Sequence, residues 1–186
     1  LAFGYIVQLM ESPEPIEDIM NDWLRVVSTF LELDTAQIFK MQDDGKTMDV
    51  ICEWRRQGVI SFFDKTSKVP AYSFLKNAES MVVQPDEISR LEYHEIYGVG
   101  LKSVMIFPLC PQEGEAELVL SLNHRKARTF EEEEIRFAED SVKLLESLLV
   151  RRIQKNFLTG SYATLETILD NVNTCIYVRD ARRHKM

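Results

Sequence analysis

The tetrapeptide Asp43-Asp44-Gly45-Lys46 lies between two short apolar runs, Thr35 to Gln42 and Thr47 to Trp54. Asp-Gly between β-prone runs is a strong short-range hairpin signal, because glycine accepts the positive φ that a tight reversal needs. The first run carries Ala36, Ile38, Phe39 and Met41; the second carries Met48, Val50, Ile51, Cys52 and Trp54. An antiparallel strand pair is therefore built into the first third of the chain. The paired aspartates belong to the turn, since the ligand spacing of a calcium loop does not follow them.

A second antiparallel pair is predicted further on. Leu101 to Cys110 is a strong strand, interrupted by Pro108 and Pro111, which cannot donate to a ladder. Gln112-Glu113-Gly114-Glu115 is a turn, and Ala116 to Asn123 returns with Leu118, Leu120 and Leu122 alternating against Val119 and Ser121. A further strand is expected at Ser80 to Gln84.

Helices frame these strands. Ser12 before Pro13 reads as a helix start, and apolar residues recur at helical spacing from Ile16 to Leu31. This helix should run from Pro13 to Glu32, and its apolar residues cover more than one stripe, so it packs on two partners. Arg55 to Ala71 reads as a loop, Tyr72 to Asn77 as a short helix, and Asp86 to Tyr97 as a helix stopped by Gly98 and Gly100. Thr129 and Glu132 have capping-box spacing. The four glutamates Glu131 to Glu134 place negative charge where the helix dipole favours it, so they open a long helix ending near Leu158 and form no metal site. Gly160 breaks the pattern; a short helix, Tyr162 to Val172, and a strand-like Cys175 to Val178 follow. Hairpins with helices gathered on one side define an α+β architecture.

Charge and cysteine usage remove several function classes. The 186 residues carry 30 Asp+Glu against 22 Lys+Arg, a net charge of -8, which gives no general attraction for nucleic acid or anionic lipid. The best membrane candidate, Leu1 to Met10, is about half the roughly 20 apolar residues a span requires. Cys52, Cys110 and Cys175 are odd in number and widely spaced, making neither a disulfide framework nor a C-x-x-C site. Reduced thiols in a cytoplasmic protein are the expectation. The chain starts at Leu1 and stops after Arg182-Arg183-His184-Lys185-Met186 in mid-pattern, as a piece of a longer protein would.

Three segments together resemble a GAF domain, the small-ligand sensory module of signalling proteins. One is the helix running into Leu33-Asp34-Thr35-Ala36-Gln37-Ile38-Phe39, within Ile19 to Trp54. Another is Gly100-Leu101-Lys102-Ser103-Val104-Met105-Ile106-Phe107-Pro108-Leu109. The third is Leu118 to Asn123 followed by Arg128-Thr129-Phe130-Glu131-Glu132-Glu133-Glu134. The resemblance covers Pro13 to Arg152. Leu165 to Asp180 resembles the opening of a PAS domain. The implied organisation is a leader over 1–12, a GAF-like sensory domain over 13–158 with its long C-terminal helix, and a truncated PAS piece over 159–186.

The resemblance implies a cytoplasmic regulatory module in a bacterial signalling protein, whose output domain would be a diguanylate cyclase or histidine kinase. None of the catalytic motifs of those outputs is present, and no nucleophile elbow appears, so the chain itself is expected to be no enzyme. No cofactor or metal is expected. The cysteines are followed by Glu53, Pro111 and Ile176, not by the histidine common where bilins are tethered; the cyclic-nucleotide signature is missing; His94 reads as a half-exposed helix residue rather than an axial ligand. In the family the ligand lies between the sheet and the irregular helices crossing it. Trp54, Phe62, Phe63, Tyr72, Phe74, Tyr93, Tyr97, Met105 and Phe107 would project there, either filling a core or holding a small molecule. A bound ligand would touch Tyr93, Tyr97 and Phe107, with Trp54 or Phe74 as a wall.

The partners expected are a second copy, through the first and last helices, and the PAS or output domain that follows; nucleic acid and membrane are not expected. Ala138, Val142, Leu145 and Leu149 make one helix seam at 4-3-4 spacing. The alternative is a ligand-free structural dimerisation domain. Cys175 to Arg179, lacking the rest of its sheet, should pair with an exposed strand edge.

Overall fold

The structure is a computed structural model and describes residues 1–61, 69–70, 79–109 and 117–158. Its strands are β1 (Thr35–Met41), β2 (Thr47–Arg55), β3 (Val69–Pro70), β4 (Met81–Val83), β5 (Ser103–Leu109) and β6 (Leu118–His124). They form one sheet in the order β3-β2-β1-β6-β5-β4, antiparallel at every pairing. The α+β architecture expected from the sequence is the one observed.

The hairpin turn is held by Asp44. Its carboxylate accepts from the Lys46 and Thr47 amides at 2.8 and 3.0 Å, an Asx-type closure, while Gly45 takes φ +63. A bulge between Ile38 and Phe39 resets the register against β2.

Three long helices cover one face: α1 (Ala2–Glu11), α2 (Ile16–Phe30) and α4 (Glu132–Leu158). Trp23, Ile19, Met20, Leu24 and Val27 of α2 are fully buried against Ala36, Ile38, Leu118, Leu120 and Leu122 of the sheet. The segment expected to be a leader is helix α1, because Ile6, Leu9 and Met10, at i, i+3 and i+4, bury in the same core. Arg151 and Arg152 near the end of α4 donate to the carbonyls of Met10, Ser12 and Glu14, satisfying acceptors around the α1–α2 turn. This turn also explains why α2 begins three residues later than expected: Ser12 closes α1 and accepts from Glu14 instead. The seam Ala138, Val142, Leu145 and Leu149 lies inside this core.

The other face carries a shorter covering. Residues 84–90 turn, Leu91–Tyr93 make a 3-10 turn, and α3 (His94–Gly98) is one short helix, where a single helix from Asp86 was expected. Ile88, Ile96 and Leu101 bury there against Phe39, Val104, Ile106 and Val119. Helix α4 also opens differently. The Glu131 amide donates to the Glu134 carboxylate at 3.0 Å, so the glutamate that reaches back to the cap lies two residues beyond Glu132, with Glu131 in the place expected for Thr129. Phe130, buried and bonded through its amide and carbonyl to the Gln84 side chain at 2.9 and 3.0 Å, holds the chain extended until that point.

Among the described residues, no helix is long and apolar enough to cross a membrane. The expected helices Tyr72 to Asn77 and Tyr162 to Val172, the strand Cys175 to Val178 and its edge pairing lie outside the described residues.

Candidate functional site

Strands β1 and β6 are central in the sheet, and side chains on both their faces are buried. Toward the helices the alternation is apolar. Away from them, β1 presents Thr35, Gln37 and Phe39, and β6 presents Asn123, Ser121 and Val119, matched pair by pair in register. The outer face therefore divides in two. One half, around Phe39 and Val119, is the apolar patch beneath α3. The other is a polar strip in which Thr35, Gln37, Ser121 and Asn123 are all at most 2% exposed.

The strip is one connected hydrogen-bond chain across three strands. The Ser121 hydroxyl donates to Asn123 Oδ1 at 2.6 Å. Asn123 Nδ2 donates to Gln37 Oε1 at 2.7 Å and to Thr35 Oγ1 at 3.2 Å. Gln37 Nε2 points to Glu53 Oε1 at 3.4 Å. Glu53, opposite Gln37 on β2, also accepts from the Ser61 hydroxyl at 2.9 and 3.0 Å and faces Arg55 Nε at 3.6 Å. An ionised carboxylate accepts only. It therefore fixes the Gln37 amide with its NH2 outward, which fixes Asn123, which makes Ser121 a donor. The polarity of the whole strip is set from its β2 end.

Beside the strip, one residue along each strand, lies a charged hub. The Arg125 amide donates to Asp34 Oδ2 at 2.7 Å, and the Asp34 amide to the Asn123 carbonyl at 3.0 Å. Arg128 Nη1 donates to the Leu31 carbonyl at 2.7 Å and to His124 Nε2 at 3.2 Å; its Nη2 pairs with Glu134 at 2.7 Å. Arg56 donates to the Leu33 carbonyl at 3.1 Å and to that of Glu32. Two arginines thus cap the end of α2, where Glu32 has φ +52, and one of them also grips the start of α4. His124 is buried; burial first, and the Arg128 guanidinium second, lower its pKa from 6.5 to about 4. The imidazole is neutral at pH 7, accepts at Nε2, and carries its proton on Nδ1, 3.9 Å from Asp34.

Of the five expected ligand contacts, the four described ones lie at separate places. Trp54 pairs with Ala36 and Phe107 with Leu120, so strand alternation turns both, with Met105, into the core beneath the helices. Their neighbours Glu53, Val104 and Ile106 take the outer face. Tyr93 packs on the outer apolar patch, and burial raises the pKa of its phenol. Tyr97 is 49% exposed, with Lys102 Nζ 5.0 Å above its ring. Phe74, like Phe62, Phe63 and Tyr72, lies outside the described residues. His94 is exposed and bonds the Leu91 carbonyl at 2.8 Å. Among the described residues, no cluster of three His, Cys, Asp or Glu could hold a metal ion. The residues missed are Thr35, Gln37, Glu53, Ser121 and Asn123. Their one sequence signal is polar alternation within two apolar strands, which equally describes a wetted sheet face.

The sequence matches no protein-family model and no curated protein. Solved structures do match. The phycocyanobilin-bound GAF domain of a cyanobacterial phytochrome superposes with a TM-score of 0.68 at 19% identity, over 83% of this chain and 94% of that one. The fold is that of GAF domains. The phycoerythrobilin-bound GAF domain of a cyanobacterial phytochrome gives 0.65 at 17% identity, over 83% of this chain and 95% of that one. The GAF domain of an Acinetobacter phosphoenolpyruvate-protein phosphotransferase gives 0.61 at 13%, over 83% and 93%.

Proposed function

We propose that this GAF-fold chain is a regulatory module that binds a small polar molecule over the strip Thr35, Gln37, Glu53, Ser121 and Asn123, and passes its occupancy to α2 and α4. In the parent, a cytoplasmic bacterial signalling protein of the diguanylate cyclase or histidine kinase type, those helices would feed a PAS or output domain. The single observation that carries this reading is the buried polar strip itself. Buried polar groups contribute little net stability even when fully paired, and a packed apolar layer serves a sheet at least as well. Recognition gives such a layer a use, since a site built of oriented donors and acceptors rejects molecules that cannot match it. The adjoining hub gives a route: Thr35 and Asn123 are each bonded in sequence to a hub residue, Asp34 and His124, and the hub grips the ends of both helices.

Bilin attachment does not suit the described cysteine. Cys52 is 1% exposed within the core on the helix side, away from the strip. The second reading, a ligand-free structural domain, is favoured by the apolar half of the outer face, which side chains already fill. Native mass spectrometry of the purified chain, followed by a thermal-shift screen of nucleotides, purines, amino acids and aromatic acids, separates the two. A ligand stabilises by mass action, and Asn123→Leu should abolish the shift. A shift that survives this change places binding elsewhere; no adduct and no shift supports the structural reading.

A further inference from the structure

We propose that residues 56–61 form a strap latched at the β2 end of the polar strip, and that a ligand bearing a cationic N–H donor, an amidinium or an ammonium, opens it by taking Glu53 from Ser61. This rests on the reading of the strip as a binding site, and adds to it the chemical class of the ligand and the part that moves.

The latch is a buried carboxylate held by weak partners. The Glu53 side chain is 5% exposed. Its hydrogen-bond donors are the Ser61 hydroxyl, at 2.9 and 3.0 Å from the two oxygens, and the Gln37 amide at 3.4 Å; both are neutral. Arg55 Nε stands 3.6 Å away, beyond hydrogen-bonding distance, and Arg55 Nη1 donates to the Val59 carbonyl at 3.2 Å instead. A buried charge is costly unless it is paired and hydrogen-bonded. Bonds between ionised partners are roughly twice as strong as neutral ones, and a planar fork of N–H groups meets both carboxylate oxygens at once. A neutral hydroxyl or amide offers Glu53 no more than Ser61 already does, and an anion is repelled. The ligand that wins this contest is a cation.

The strap is built to let go. Its other grips run from side chains to backbone, Arg55 to the Val59 carbonyl and Arg125 Nη1 to the Ile60 carbonyl at 3.4 Å. Neither Val59 nor Ile60 joins the described core, and Ile60 is 76% exposed. Gly58, at φ +83 with open space where a Cβ would stand, makes the turn. A segment with few apolar contacts and exposed hydrogen bonds opens at low free energy. Its root is firmer. The Arg56 amide donates to the Asp34 carbonyl at 3.0 Å, and the guanidinium to the carbonyls of Leu33 and Glu32. The strap therefore hinges on the residue that caps the end of α2.

Hydrogen exchange over residues 56–61 of the 186-residue chain, read by mass spectrometry, tests this, with circular dichroism melts confirming that each variant folds. Ser61→Ala should speed exchange of the strap at least about tenfold, the effect of losing one hydrogen bond to a charged group. In the wild type, benzamidinium and methylammonium at about 10 mM should speed it relative to sodium chloride, and neutral benzamide should not. Glu53→Gln should abolish the response. Strap exchange unchanged by Ser61→Ala overturns the inference, as does a wild type indifferent to both cations, an equal response to benzamide, or a response that survives Glu53→Gln. Asn123→Leu separates the latch from the strip. A cation response that persists in this variant supports the latch and removes the strip as the site. A screening ligand lost in Asn123→Leu but retained in Glu53→Gln leaves the strip standing and overturns the latch.

Discussion

Asn123→Ala removes the middle link of the buried strip. The side chain makes four hydrogen bonds, two with Ser121 and one each with Gln37 and Thr35, and is 1% exposed. Its loss leaves the Ser121 hydroxyl without its acceptor and Gln37 Oε1 without its donor. Each buried orphan costs about 1–3 kcal/mol, so the expected destabilisation is about 2–6 kcal/mol, toward the lower end if one water enters the space left behind. Urea unfolding followed by the fluorescence of Trp23, fully buried between α2 and α4, reads the loss. The companion variant Thr35→Val/Gln37→Leu/Ser121→Ala/Asn123→Leu removes donors and acceptors together while Glu53 keeps Ser61. It should cost far less than the sum of its single changes, because apolar replacement of both partners is close to neutral. A loss below about 1 kcal/mol for Asn123→Ala, or full additivity in the combined variant, would refute the idea of one coupled strip.

Lowering the pH from 6.5 toward about 4 should destabilise the fold through His124: in that window the unfolded chain binds the imidazole proton and the folded chain does not. The contribution is at most about 1.4 kcal/mol per pH unit, and His124→Gln should show a flatter stability profile over the same range. Ser28 and Ser141, fully buried with hydroxyls lacking a partner, should each tolerate alanine, with stability unchanged or raised by up to about 1 kcal/mol in thermal melts. Arg128→Lys should cost about 1–3 kcal/mol, because an ammonium cannot bond the Leu31 carbonyl, His124 and Glu134 from one planar fork; hydrogen exchange should show the first turn of α4 opening more readily than its middle.

What was legible in the sequence was local. Gly45 and Asp44 announced the hairpin, the alternation of Leu118, Leu120 and Leu122 announced β6, and the apolar recurrence from Ile135 onward announced α4. Misreadings occurred where a distant residue decided the outcome. The start of α4 depends on Gln84 holding Phe130, 46 positions away. Helix α1, which reads as an apolar leader, is ordered by α2 and α4. Trp54 and Phe107 look like pocket aromatics until the pairings of β2 with β1 and of β5 with β6 set which face each takes.

The polar strip is the extreme case. Thr35 and Gln37 on a lone hairpin would face water, and so would Ser121 and Asn123. The pairing of β1 with β6, more than 80 positions apart in Thr35↔Asn123, is what gathers them side by side in the middle of the sheet, where all four are buried. The same long-range pairing puts Asp34 against Arg125 and His124 against Arg128. Any displacement of β6 along β1 that accommodates a molecule on the strip must therefore strain the hub one residue away, where a guanidinium is shared between the end of α2 and the start of α4. Interiors packed this closely do not absorb such a shift gradually. On the proposed reading the hub would either hold or let go, and letting go would free the first turn of α4 relative to α2.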